Sequence, residues 1–299
     1  MGTLRTNRIA LWSICLAAGV LVGTLGNTVA LAQDEEFIWE EFRLEYHRSP
    51  TLGLYYGFTS SSLDGLNQSL AAPGYGEFKI GGSRLTVWDE EANILKYRFE
   101  YFTGTVLSSN FTKTPAASDI AFEQWRFGIG WLKGLGYGFG AEEDEYALRG
   151  IVLNNAGAVS LASFKLLGGV TDSLEKERLS SYEGALRLGF AMEAGLTIQP
   201  VDILAIDAGF ERAIIFRRLV FWETAMSAAL EGVGQGLIDH FIRKVMRRSP
   251  TAAPIVSFLL KNGLSYGFYE LRKKDMNWPF GSEPGLLHDT FKVGISFRF

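Results

Sequence analysis

The chain has 299 residues, 47% of them apolar, with 34 glycines and a net charge of −4. So apolar a composition excludes a disordered chain, and the slight acidic balance leaves no basic excess for nucleic acid, so no nucleic-acid partner is expected. Mean hydropathy is slightly positive, +0.08, which directs attention to surfaces that meet lipid.

The first predicted element is not part of a fold. Arg5 and Arg8 precede the apolar run IALWSICLAAGVLVGTL, and Ala30-Leu31-Ala32 sets small residues before Gln33-Asp34-Glu35-Glu36. This is the layout of a secretory signal peptide over residues 1–32, cleaved after Ala32. The run is also long enough to be a retained membrane anchor. Cys15, the one cysteine, lies inside the run behind Ile14 and not at the small-residue site, which argues against lipidation. Residues 33–299 therefore have no disulfide, thiolate metal site or cysteine nucleophile available.

From residue 38 onward the dominant signal is a period of two. The predicted strands are roughly 38–48, 51–60, 76–88, 93–107, 120–133, 135–153, 158–169, 182–199 and 203–217. In FRLEYHR, Phe42, Leu44 and Tyr46 alternate with Arg43, Glu45 and His47. Leu95, Tyr97, Phe99 and Tyr101 alternate with Lys96, Arg98 and Glu100, and Trp125, Phe127, Ile129 and Trp131 with Gln124, Arg126, Gly128 and Gly130. A long apolar face follows: Leu186, Leu188, Phe190, Met192, Leu196 and Ile198. Side chains of a strand point to opposite sides, so each segment has an apolar and a polar or small face. A soluble sandwich turns the apolar face inward, a membrane barrel turns it to lipid. Segments well beyond ten residues favour the barrel, because soluble strands run about five or six and membrane strands about nine to eleven. Tyr and Trp near segment ends (Trp39, Tyr46, Trp88, Tyr97, Tyr101, Trp125, Trp131, Tyr137) fit interfacial girdles. Gln199-Pro200-Val201-Asp202 supplies a tight turn between two of the strands.

Residues 223–262 break this pattern. Met226, Leu230, Val233, Leu237, Phe241 and Val245 recur at helical spacing, Lys244, Arg247 and Arg248 gather at the C-terminal end, and Ser249-Pro250 stops the helix. A second helix, 252–261, is expected to be capped by Asn262-Gly263. The insertion could cover a barrel mouth, plug the lumen, or lay a basic helix on anionic headgroups. The last segment, 289–299, reads TFKVGISFRF, with Phe291, Val293, Ile295, Phe297 and Phe299 on one face.

An alternating last strand ending in Phe resembles the assembly signal of bacterial outer-membrane β-barrel proteins, the class that the signal peptide and long alternating strands also resemble. The resemblance implies an all-β fold: a transmembrane antiparallel barrel with a helical insertion before the last strand. It also implies outer-membrane lipid and the barrel-assembly machinery of a Gram-negative bacterium as partners. No narrower family is identified. Closure follows from physics, since lipid offers no partner to an unpaired backbone group. About ten segments can be counted, and eight to twelve strands is the expected range, because 133–170 is ambiguous and the tight turns fall on conflicting sides. The final strand should close against Phe42–Arg48.

For function, the polar faces supply the expected lumen-lining residues: Arg43, Glu45, His47, Lys96, Arg98, Glu100, Arg126, Arg187, Glu193, Asp207 and Glu211. They are of mixed sign, which fits internal ion pairs or a narrow polar conduit without single-sign selectivity. A small channel or passive transporter leads. A lipid-modifying hydrolase or acyltransferase is the second reading, with His47 and Ser49 as candidates for a His–Ser pair. A structural or surface-interaction barrel is the third. No HExxH, paired metal-spaced His or P-loop occurs, so no metal or cofactor is expected.

Overall fold

The computed structural model describes residues 48–111, 118–139, 149–218 and 221–299. Antiparallel strands close into one eight-stranded barrel in which each pairs with its chain neighbours and the last with the first. They are β1 (Ser49–Ser62), β2 (Gly74–Asp89), β3 (Ile94–Ser108), β4 (Ala121–Gly138), β5 (Gly150–Gly168), β6 (Arg187–Val201), β7 (Leu204–Ile215) and β8 (Leu286–Arg298). The tight turns after β2 and β6 share the lower rim with the end of the chain. The longer connections, after β1, β3, β5 and β7, share the upper rim.

The wall is apolar on its outside. Phe58, Phe78, Phe102, Phe127 and Phe291 all stand exposed on the outer surface, with Leu54, Ile80, Val293 and Ile295 among them. Lys79, Ser83, Gln124, Thr290 and Lys292 are buried within. Strand alternation thus inverts the usual soluble arrangement, as expected where the solvent outside the sheet is hydrocarbon.

Three details of the sequence reading are corrected here. The segment 120–133 and the start of 135–153 are one strand, β4, and the end of 135–153 joins 158–169 in one strand from Gly150, β5. The alternate glycines Gly134 and Gly136 form a glycine face of β4 where the neighbouring strand approaches closely. A Cβ on Gly136 would stand 2.1 Å from the Ile151 carbonyl oxygen. With eight strands the side conflict disappears, and the Asp89–Asn93 turn and the Asp202-Ile203 turn lie on one rim. Ser49-Pro50 is the start of β1 and no turn. The expected strand 38–48 lies outside the described residues apart from Arg48. β8 closes instead against Thr51–Ser62, from Thr51↔Arg298 to Ser62↔Leu287, and the Phe299 N–H donates to the Pro50 carbonyl at 2.8 Å.

A short helix, α1 (Ser173–Ser180), sits in the β5–β6 connection, its first turn capped by Asp172, which accepts from the Leu174 N–H at 2.8 Å. The insertion before β8 is a helical hairpin of α2 (Phe221–Arg248), a 3-10 turn (Pro250–Ala252) and α3 (Ala253–Lys274). α3 runs on through Asn262-Gly263, where the sequence suggested a cap, because the Asn262 amide is used sideways. It accepts from Asn155 of β5 at 2.8 Å and donates to the Phe258 carbonyl at 3.0 Å. The hairpin neither covers a mouth nor enters the lumen. It descends the outer wall to a cluster of Ile94, Leu135, Ile242, Met246 and Ala253 near the lower rim, then climbs back to Tyr269, which donates to Asp289 of β8 at 2.9 Å.

Candidate functional site in the barrel interior

The interior is stratified along the barrel axis. In the lower half, Leu85, Leu95, Tyr97, Phe99, Tyr101, Leu132, Val152 and Ala156 form one apolar cluster. Here the sequence reading has the face of β3 reversed. Tyr97 and Tyr101 point inward, and Lys96, Arg98 and Glu100 belong to the outer surface. Lys96 lies 5.1 Å over the Trp88 ring, and Glu100 pairs with Arg48 at 2.6 Å where both are largely exposed. The physical reason is positional. Near a membrane rim the outer wall meets headgroups and tolerates charge, while the narrow interior needs aromatic volume.

Beside this cluster runs a hydrogen-bonded string. Asp207 accepts from Thr197 at 2.6 Å, from Ser296 at 2.5 Å and from the Tyr55 hydroxyl at 3.2 Å. Asn154 donates to Thr197 at 3.0 Å. Gly130 makes room for Tyr101, for a Cβ there would lie 2.5 Å from the ring.

The middle layer is ionic. Lys292 of β8 reaches Glu77 at 2.5 Å, Glu211 at 2.6 Å and Glu193 at 2.9 Å. Lys79 pairs with Glu193 at 2.8 Å, and Arg126 with Glu211 at 2.7 Å. Tyr75 donates to Glu211 at 3.0 Å, and Thr103 to Glu77 at 2.8 Å. Three cations thus face three carboxylates, all buried. Removing such charges from water is costly unless each is paired and hydrogen-bonded, and here every carboxylate has at least two donors.

Above it lies a layer of Ser61, His288 and Gln124. His288 is fully buried, its Nδ1 2.8 Å from Ser61 Oγ and its Nε2 2.9 Å from Gln124 Oε1. Phe122 stacks against the imidazole at 6.1 Å between centroids. With Nε2 protonated and donating to Gln124, Nδ1 would accept the Ser61 proton, the relation a nucleophile needs with its base. Over this layer the upper rim closes with Leu63, Leu70, Ile120, Phe122, Phe164, Leu179, Tyr182 and Leu286. Connections from three loops meet there, tied by the bridge of Leu70 to Ile120. Burial pushes the Tyr182 phenol up to about 12.

Of the residues expected to line the lumen, Arg126, Glu193, Asp207 and Glu211 point into it. Arg187 bonds the carbonyl oxygens of Arg217 and Ser181 near the upper rim. Arg43, Glu45 and His47 lie outside the described residues. Ser49 begins β1 opposite Ser83. Sequence reasoning missed Glu77, Lys79 and Lys292, although Tyr75-x-Glu77-x-Lys79 alternates against Phe78 and Ile80 in the same period of two. It also missed Ser61, His288 and Gln124, which sequence distance separates.

An apolar outer wall, a filled polar interior and a sheet with no free edge together are the architecture of small outer-membrane β-barrel proteins. No protein-family model and no curated protein matches the chain. Among solved structures it is similar to Neisserial surface protein A at 11% identity, over 84% of this chain and 97% of that one, with a TM-score of 0.38. It is similar also to Ail, the attachment invasion locus protein of Yersinia pestis, at 9% identity, over 85% and 99%, with a TM-score of 0.29. A structure of Ail with the heparin analogue sucrose octasulfate gives 10% identity, 85% and 99% coverage, and 0.24. At these values the likeness carries nothing about function.

Proposed function

We propose that the chain is an integral outer-membrane protein of a Gram-negative bacterium whose barrel is a sealed anchor and does not conduct. It acts through the surfaces it presents, the structural or surface-interaction reading, with the upper rim outside the cell. The observation that supports this is the ionic layer of Lys79, Arg126 and Lys292 with Glu77, Glu193 and Glu211, held between apolar layers below and above. A solute would have to break several buried ion pairs to pass, and an eight-stranded barrel has an interior just wide enough for side chains to fill. This favours an anchor over the small channel that polar strand faces suggest. Purified protein in planar bilayers should give no discrete conductance steps. Stable steps from heat-modifiable, folded protein would overturn the reading.

Ser61, His288 and Gln124 keep the hydrolase reading in view, since Ser61 Oγ and His288 Nδ1 lie 2.8 Å apart, as a nucleophile and its base require. Ser61 is half-buried, but the full burial of His288 and Gln124 beneath the upper apolar layer weighs against substrate access. Folded protein should resist a fluorophosphonate probe, and labelling of Ser61 that His288→Ala abolishes would revive the enzyme.

A further inference from the structure

We propose that the α2–α3 hairpin is itself immersed in the bilayer, its outer face in contact with lipid acyl chains over the height of the barrel wall. This rests on the membrane reading above and adds a lipid-facing surface that strands alone do not supply.

The distribution of polarity on the hairpin is inverted. On α2 the exposed side chains include Trp222, Met226, Leu230, Val233, Leu237 and Phe241, one stripe at three- and four-residue spacing. On α3 they include Ile255, Leu259, Tyr266 and Leu271. The polar groups turn the other way. Arg272 is buried, donating to Glu231 at 2.6 Å and to the Ser227 hydroxyl at 3.1 Å. Lys261 pairs with Asp239 at 2.5 Å, and Gln235 donates to Ser265 at 3.0 Å. A helix pair in water would show the opposite arrangement, with charge outside and the stripe buried.

The wall beneath supplies an independent observation. Away from the rims, where Lys96, Arg98 and Glu100 lie, the exposed outer face of the sheet is aromatic and aliphatic, but under the hairpin it carries Asn155, Arg212 and Asp289. Each meets α3, with the Asp289 side chain still 41% exposed. Asn155 bonds Asn262, Asp289 accepts from Tyr269, and the Arg212 guanidinium lies 4.2 Å over the Tyr266 ring. Polar groups at membrane depth need internal partners, and here the hairpin adds its own to the 3.7 Å pair that Arg212 and Asp289 make along the wall.

Dimensions and ends agree. Trp222 to Phe241 spans roughly 28 Å of helix at 1.5 Å per residue, against an apolar band of about 25 Å on a barrel of this kind. Lys244, Arg247 and Arg248 follow at the lower end, exposed and level with the rim where anionic headgroups would lie. His240, exposed, is one turn above Lys244. At the upper end Trp222 packs on Phe280 and Trp278 on Phe268, an aromatic interfacial belt. Neither helix is long and apolar enough to cross a membrane alone. The stripe is continuous with the wall, so the barrel carries the hairpin into the bilayer.

The experiment places a single cysteine, in a Cys15→Ser background, at Val233, Leu237, Phe127 or Asp64, labels it with bimane and reconstitutes each full-length protein in phosphatidylcholine vesicles. Acyl-chain doxyl lipid should quench the labels at Val233 and Leu237 to the same extent as the wall label at Phe127, and leave Asp64, in an upper loop, unquenched. Quenching at Phe127 but not at Val233 and Leu237 would overturn the proposal while leaving the barrel in the membrane. Quenching at none would instead remove the membrane reading on which it rests. Loss of hairpin quenching as protein-to-lipid ratio rises, with Phe127 unchanged, would assign the stripe to a second copy and overturn the proposal as well.

Discussion

Lys292 touches all three buried carboxylates of the middle layer, at 2.5 to 2.9 Å, and nothing else described can replace it there. Truncation to Met leaves Glu77, Glu193 and Glu211 with Lys79 and Arg126 alone. Loss of one partner from a buried ion pair typically costs about 3–5 kcal/mol. We expect Lys292→Met to lower the urea midpoint of the reconstituted barrel accordingly, with Glu211→Gln in the same background recovering part of the loss. A midpoint within error of the parent for Lys292→Met would show that the carboxylates do not depend on it. Gly130 tests volume in place of charge. Gly130→Val would drive a branched side chain into the Tyr101 ring, and overpacking of this kind costs about 1–3 kcal/mol. The gel-shift temperature should fall, and Tyr101→Ala should rescue part of it.

At the scale of elements, Asn155 on β5 and Asn262 on α3 form a hydrogen bond between sheet and hairpin. Such bonds at membrane depth are worth about 0.6 kcal/mol on average and at most roughly 1.7. A double-mutant cycle with Asn155→Ala and Asn262→Ala should give a coupling in that range, and zero coupling would detach the hairpin from the wall in solution. Strands were legible in the sequence because alternation over more than ten residues has few other causes, and in β8 the outward face of Phe291, Val293 and Ile295 reads correctly. β3 does not, and the reason lies in the strand. Its apolar phase is on Leu95, Tyr97, Phe99 and Tyr101 in the lower half, which fill the lumen. It passes to Phe102 in the upper half, which faces out. The adjacent pair Tyr101-Phe102 marks that switch and was the available signal. The hairpin was legible as helices from its spacing, but its outward stripe has the same periodicity as a core-facing one. Only the position of the barrel tells which side is wet. The interior network was half legible, since pairing across the lumen joins residues such as Lys79 and Glu193 that pattern alone cannot connect.

For the whole molecule, the closed sheet removes every strand edge and the packed interior joins all strands. Barrels of this build resist SDS until heated. The protein should therefore migrate differently before and after boiling, and Phe127→Asp on the wall should impair membrane insertion much more than Asp64→Asn on an upper loop. Equal yields of the two in vesicles would count against a lipid-facing wall.

The position of Lys292 has a consequence for the order of assembly. It lies on β8, which makes both of the last seams, with β7 and with β1, and which follows the whole hairpin in the chain. Until that strand arrives, the middle layer of the half-built lumen holds one more carboxylate (Glu77, Glu193 and Glu211) than it has cations (Lys79 and Arg126). The final strand thus brings in the missing charge, so closure is favoured by electrostatic attraction as well as by backbone pairing. Ordering should then be visible in time: with Lys292→Met, acquisition of the SDS-resistant form should slow and lose its sensitivity to salt, while the hairpin is unaltered.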